Sequence, residues 1–367
     1  MRLLAVGLVV VCASFQPVRA EILIGVSAAM SGTYSHYGEI TLNGVEAAVD
    51  ALNANGGLLG EEVDIVVADD FCSGEQATAA AEKLASSEVA VVVGHPCSGG
   101  AIPASKVYDR EELVMIATTA SNPRLTDEGG DYIFRIYGRD DHQGVMAGEM
   151  LAERWPDGHI AILHDGQAYG QGLAKHVEMK LVDLGLAPEI VDQIEPGQAD
   201  YSSVISRFEE AEIDVLYYGG YAVEAGLIIR QMRDVGSDIQ LIGGDGIGYA
   251  EFWNIADQAG ESVLLTLPPN LRKDPAAVSF LVDAMGLEEA GPGDRALFAL
   301  AAVQAWAKAV EIAGTTEPAS VADSLREAEF DTALGQIGFD DNGDITGFET
   351  FSWYVWKAGN IDSFSTE

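Results

Sequence analysis

The chain has 367 residues, 48% of them hydrophobic, and 58 acidic against 20 basic side chains give it a net charge of −38. Such a length is enough for two domains, because a single core rarely grows past about 250 to 300 residues. So acidic a chain is a poor partner for nucleic acid or an anionic membrane surface, and the excess reads as a solvated acidic exterior.

Residues 1–20, MRLLAVGLVVVCASFQPVRA, place Arg2 before an apolar run from Leu3 to Phe15 and close on Val18, Arg19 and Ala20. This is the pattern of a secretory signal peptide cut after Ala20, with an apolar core too short for a membrane span. Cys12 suggests a lipid anchor, but Val11 stands where such a cleavage site needs a small residue. The remaining cysteines, Cys72 and Cys97, would meet an oxidising compartment and read as a disulfide, with metal ligation as the competing use.

The next stretches alternate in kind. ILIGVSA (22–28), VDIVVAD (63–69), VAVVVG (89–94) and LVMIATT (113–119) are continuous apolar runs of the sort found in parallel sheets covered on both faces. Between them, residues 37–57 have apolar side chains at helical spacing and stop at Asn55, Gly56 and Gly57, and residues 73–88 form an alanine-rich helix. A second series repeats the layout. Strands are expected at 159–165, 190–195, 213–220 and 239–246, with helices from Tyr169, about Tyr201 and Tyr221. Two α/β halves with βαβ connections follow. The tail predicts helices near 275–285, 294–313 and 318–328, a hairpin turn at Asp341, Asn342 and Gly343, and a strand within 348–358.

Enzyme signatures are tested in turn. The chain has no GxxxxGK[ST] loop, HExxH or GxSxG elbow. DDNGD begins like a calcium loop, but Ile345 sits where that loop needs glycine. The glycines of GGDGIG (243–248) come too late in the chain for a dinucleotide fingerprint at a first βα turn. His95 and Ser98 are three residues apart, but no acid is placed by sequence to orient the histidine and no oxyanion loop is identifiable. Ser98 reads instead as a residue that opens a helix, either as a cap or as a hydroxyl set beside backbone N–H groups that favour an anion. Thr118, Thr119 and Ser121 end the next strand beside it. Asp245 ends a strand of the second half between glycines, either as a turn residue or as a counter-charge for a cation. Tyr169 and Tyr221 open helices directly after strands of that half. One cleft with an anion site in one half and a carboxylate in the other suits an α-amino acid.

At this point the chain resembles the periplasmic branched-chain amino-acid-binding proteins, substrate-binding subunits of ABC importers with the type I periplasmic fold. The likeness rests on AAMSGTYSHYGEITLNGVEAAV (28–49), DDFCSGEQA (69–77), GHPCSGGAIPAS (94–105), HDGQAYGQGLA (164–174), VLYYGGY (215–221), GGDG (243–246) and GDITGFETF (343–351), in order. It implies an α/β chain with two doubly wound parallel-sheet lobes joined by a three-segment hinge. One lobe would be 21–139 with 268–347, the other 140–267 with 348–367. It implies the Cys72–Cys97 disulfide, a ligand carboxylate held by Ser98, strand-end contacts from Thr119 and Ser121, and tyrosine contacts from Tyr169, Tyr221 and Tyr37. The ligand ammonium would meet Asp245, where the family commonly has glutamate. Leucine-binding relatives place an aromatic residue on the pocket wall where this chain has Arg295; either Phe298 takes its place or Arg295 meets a polar or acidic side chain. The resemblance further implies a monomeric periplasmic receptor with no enzyme activity and no cofactor, which delivers an amino acid, branched-chain or otherwise hydrophobic, to an inner-membrane ABC permease. The alternatives are the same fold binding an aromatic acid, an amide or a polar amino acid, or an α/β hydrolase.

Overall fold

The structure, a computed structural model, describes residues 21–271 and 295–365. The expected signal peptide with Cys12, and the expected helix near 275–285, lie outside these residues.

The first sheet is built from β1 (Glu21–Ala28), β2 (Glu62–Asp69), β3 (Val91–Gly94), β4 (Met115–Ala117) and β5 (Ile133–Arg135), all parallel, in the order β2-β1-β3-β4-β5. Continuous apolar strands suit it because both faces are covered. On one face, α1 (Ser35–Ala54) and α10 (Ala296–Ala313) share a core containing Ile24, Val26, Val91, Val93, Leu300 and Trp306. On the other, α2 (Gly74–Ala85) and α3 (Ser98–Arg110) pack Leu84, Ala101 and Tyr108 against Val92 and Met115. Among the described residues α10 is the one helix long and apolar enough to cross a membrane, yet 72% of it is buried inside this fold. Its apolarity is that of a core helix.

The second sheet uses the same winding. Its strands β6 (Ile160–His164), β7 (Ile190–Gln193), β8 (Val215–Gly219), β9 (Gln240–Gly243) and β10 (Leu264–Leu267) run parallel in the order β7-β6-β8-β9-β10. Two antiparallel strands, β14 (Ser352–Lys357) and β15 (Asn360–Ser363), extend it from β10. A short helix α4 (Arg124–Asp127) precedes β5, α5 (Asp140–Arg154) leads from β5 to β6, and α6 (Ala168–Asp183), α7 (Ser202–Glu210), α8 (Ala222–Asp234) and α9 (Ala250–Ala256) connect the strands of the second sheet. A small antiparallel sheet of β11 (Phe330–Thr332), β12 (Gly335–Phe339) and β13 (Ile345–Thr346) follows α11 (Pro318–Glu327) and contains the expected turn at 341–343.

Each parallel sheet reverses its strand order between its first and third strands, at β1/β3 and at β6/β8. Ligands of open α/β sheets bind outside the carboxyl ends of strands at such points. The two carboxyl edges face each other across a cleft.

One buried ion network lies where the chain leaves the first sheet. Asp344 accepts from Arg135 Nε at 2.8 Å, Arg139 Nη1 at 2.7 Å and the Thr126 hydroxyl at 3.0 Å. Arg135 also donates from Nη1 to the Asn122 carbonyl at 2.9 Å. The start of the suspected calcium loop is used internally instead, with Asp340 Oδ1 accepting the N–H groups of Asn342 and Asp344 at 2.9 Å each.

Candidate functional site

The first lobe's contribution is stitched at its base. Cys72 and Cys97 are joined by a disulfide with Cα atoms 5.4 Å apart. Beside it Asp70 Oδ1 accepts the Cys72 N–H at 2.8 Å, while Asp70 Oδ2 lies 2.8 Å from His95 Nδ1. His95 Nε2 meets the Tyr108 hydroxyl at 2.9 Å. The turn itself depends on Gly94, at φ +137°, where an added Cβ would stand 2.1 Å from the Ser27 carbonyl oxygen. Only glycine lets β3 turn this close to β1.

Ser98 is the first residue of α3, and the preceding Cys97 holds the cap position without a side-chain cap bond. A capping hydroxyl was one expectation for Ser98; instead its Oγ accepts the Asn122 N–H at 3.2 Å. The cap is not made because the serine already lies inside the helix, with its hydroxyl turned towards the end of β4. The first N–H groups of α3 have no intrahelical acceptor, and the helix dipole favours an anion there. An acid does orient His95, contrary to the sequence reading, but Asp70 and Tyr108 occupy both ring nitrogens. The imidazole therefore gives Ser98 no base, the arrangement a serine nucleophile needs.

Thr119 and Ser121 follow β4. The Thr119 hydroxyl donates to the Pro96 carbonyl at 3.0 Å, and the Ser121 carbonyl accepts the Asp140 N–H at 2.9 Å. Both side chains are buried.

From the second lobe, Asp245 follows β9 and is 5% exposed. Its carboxylate accepts the hydroxyls of Tyr169 at 3.0 Å and Tyr137 at 3.1 Å, and Gln143 Nε2 at 3.2 Å. Tyr169 in turn accepts the Gly246 N–H at 2.9 Å, so its hydroxyl aligns backbone and carboxylate together. An added Cβ at Gly246 would come 2.6 Å from the Gly220 carbonyl oxygen, which explains the glycine after Asp245. A second carboxyl, Asp140, is buried behind; burial and the Asp245 charge push its proton affinity well above the usual carboxylate range.

Tyrosine rings form the remaining wall. Tyr221 lies 5.1 Å from Tyr34, 5.2 Å from Tyr169 and 6.0 Å from Tyr37 between centroids, and Tyr37 lies 4.6 Å from Tyr249. Burial raises the proton affinity of these phenols and keeps them neutral donors, Tyr34 reaching about 12.

All seven residues named from the sequence, Tyr37, Ser98, Thr119, Ser121, Tyr169, Tyr221 and Asp245, line one cavity together with Pro96, Gly246 and Tyr249. Tyr137, Gln143, Tyr34 and Tyr249 were missed. Tyr249 carried a signal like that of Tyr221, an aromatic at the N-cap of a helix, although a short turn separates it from β9. Tyr137 and Gln143 carried none, since they reach Asp245 from more than a hundred residues away. The lobes touch directly across this cavity, with Asn122 Nδ2 donating to the Ala168 carbonyl at 2.7 Å and Gln167 Nε2 to the Tyr34 hydroxyl at 3.0 Å.

Paired doubly wound lobes facing across such a cleft agree with a family-wide match: the family described as periplasmic binding protein covers residues 21–359. The chain belongs to this family. The leucine-, isoleucine-, valine-, threonine- and alanine-binding protein of Pseudomonas aeruginosa is 36% identical over 356 residues, covering 97% of this chain and 95% of that protein. The leucine-specific-binding protein of Salmonella typhimurium is 36% identical over 353 residues, covering 96% and 95%. Among solved structures, a leucine binding protein LivK from Thermotoga maritima superposes with a TM-score of 0.85 at 24% identity, covering 94% of this chain and 98% of that one. The type I periplasmic fold expected from the sequence is the fold of this periplasmic binding protein.

Proposed function

We propose that this chain is the solute receptor of an ABC importer, which binds an α-amino acid between its lobes in the periplasm and delivers it to an inner-membrane permease. The observation that carries the reading is the single cavity shared by Ser98 at the start of α3 and Asp245 at the end of β9. A carboxylate is favoured at the first and an ammonium at the second, in the relation that an α-amino acid requires. The hinge would lie where the chain crosses between lobes, near residues 139, 267 and 348, and residues 1–20 would direct export and be removed.

The mechanism is differential binding. A ligand touching both lobes adds its contacts only when they meet, so it shifts the population to the closed form that the permease recognises. The relatives' names put Leu, Ile and Val first among ligands to test. The buried Arg295 favours a second reading, an amino acid with a polar side chain.

Thermal unfolding with the twenty amino acids, their amides and their deaminated acids tests the proposal. A ligand at about 100 times its Kd adds about 2.7 kcal/mol of stability and raises Tm visibly. An amino acid should raise Tm while its amide and its deaminated acid do not; an equal rise with a deaminated or aromatic acid would refute the amino-acid reading.

A further inference from the structure

Among the described residues, the one other buried arginine, Arg135, is neutralised in place. Arg135 and Arg139 share the Asp344 carboxylate. Arg295 differs. It is 6% exposed, immediately precedes α10 in the first lobe, and among the described residues has no carboxylate within ion-pair distance. Asp245, beside it, has its carboxylate engaged by Tyr137, Tyr169 and Gln143 and meets Arg295 through its backbone: Nη2 donates to the Asp245 carbonyl at 2.7 Å. Nη1 donates to the Gly248 carbonyl at 3.3 Å, and the guanidinium carbon stands 3.8 Å from the Tyr249 ring centroid. Among the described residues Nε is buried with no hydrogen-bond partner.

A guanidinium has five N–H donors in a rigid fork. Two are used here, and both go to uncharged carbonyls of the segment that carries Asp245 and Tyr249, two residues lining the cavity. Burying a charge this way is unfavourable unless an acceptor completes it. Arg295 is not itself among the residues lining the cavity but packs on Tyr249, which is; with ligand carboxylate at Ser98 and ammonium at Asp245, the ligand's side chain would be the part nearest to that pair.

We propose that Arg295 is a specificity-determining residue that selects an amino acid whose side chain ends in a carbonyl oxygen, as a carboxylate or a carboxamide. The inference rests on the amino-acid reading above and names its substrate class. A purely aliphatic side chain would leave the Nε–H donor buried and unpaired, whereas a side-chain carbonyl oxygen accepts from the fork and a carboxylate can add a second bond in the bidentate manner. The carboxylate and the carboxamide share that acceptor and differ in charge.

The test is calorimetry on the exported protein with glutamate, aspartate, glutamine, asparagine, leucine and isoleucine, at low and high salt. The expected result is at least tenfold tighter binding of an acceptor-bearing amino acid than of leucine. Arg295→Met should reverse that order, with leucine binding gained or kept. Arg295→Lys keeps the charge and loses the fork, so an acidic ligand would retain more affinity than an amide; salt sensitivity separates the two in the unsubstituted protein. Leucine binding tightest in the unsubstituted protein overturns the inference while leaving the amino-acid reading intact. So does an equal loss for every ligand in Arg295→Met, which would make Arg295 a cross-lobe clamp only. Should Arg295→Met fail to fold, the ligand order and Arg295→Lys decide. No binding by any amino acid removes the receptor reading itself, and with it this inference.

Discussion

Asp245→Asn separates the two roles of the carboxylate at the centre of the site. Asparagine has nearly the same shape, and its remaining Oδ1 still accepts from Tyr169 and Gln143, now at 3.0 and 3.2 Å. The bond lost is the one from the Tyr137 hydroxyl, 3.1 Å from Oδ2, a net effect of about 1 kcal/mol for a single hydrogen bond. Removal of the charge is a different matter. At 5% exposure, a ligand ammonium would lose its buried counter-ion, which costs about 3 to 5 kcal/mol. Affinity for an α-amino acid should therefore fall by about two to four orders of magnitude. The same ligand with hydroxyl in place of ammonium should lose about tenfold or less, the share owed to the hydrogen bond. Titration calorimetry of both ligands against both proteins gives the four free energies of a cycle. Equal losses for the amino acid and its hydroxy analogue would show that no ammonium meets Asp245, and the assignment of the two ends of the cavity would fall.

Two further predictions follow from the geometry. Replacing both Cys72 and Cys97 by serine opens a loop spanning 25 residues and should lower unfolding stability by about 3 kcal/mol in the chain-entropy treatment, as read from urea midpoints under oxidising conditions; an unchanged midpoint would contradict it. Burial, helped by Glu224, raises the Asp165 pKa to about 7 against the N–H bonds of Gln167, so the folded chain holds this proton more tightly than the unfolded chain. Stability is then lost as pH rises from the unfolded carboxylate range near 4 through about 7, by at most about 4 kcal/mol. Asp165→Asn should raise Tm at pH 8 and leave it little changed at about pH 4 or below; a difference independent of pH would refute the shift.

The alternation of strands with helices was legible in the sequence. The strands β1 to β4 and β6 to β9 announce themselves as apolar runs between helical patterns, and their alternation is enough for two doubly wound halves. β5 (Ile133–Arg135) and β10 (Leu264–Leu267) were not named, and length is not the reason, since β4 is as short as β5 and β3, β7 and β9 are as short as β10. Site residues at strand ends could be named because the chain order of an open sheet places those ends together. Ser98, Thr119 and Asp245 are of this kind. Residues that act through distant pairing stayed hidden: nothing local ties Asp70 to His95 or Tyr137 to Asp245. Arg295 was visible as a departure, but its unpaired Nε is a property of packing that no spacing encodes.

The Asp344 network described with the fold has a mechanical consequence. One carboxylate grips Arg135 and Arg139, on the stretch that leaves the first sheet for the second lobe, and also Thr126, just past the strand end that carries Thr119 and Ser121. The Arg135 guanidinium extends that grip to the Asn122 carbonyl, and the Asn122 N–H rests on the Ser98 hydroxyl. A chain of four polar contacts thus runs from the proposed joint between the lobes to the Ser98 hydroxyl in the cavity wall. Bending at the joint would act on it as on a lever, so the ligand's grip and the angle between the lobes would change in step.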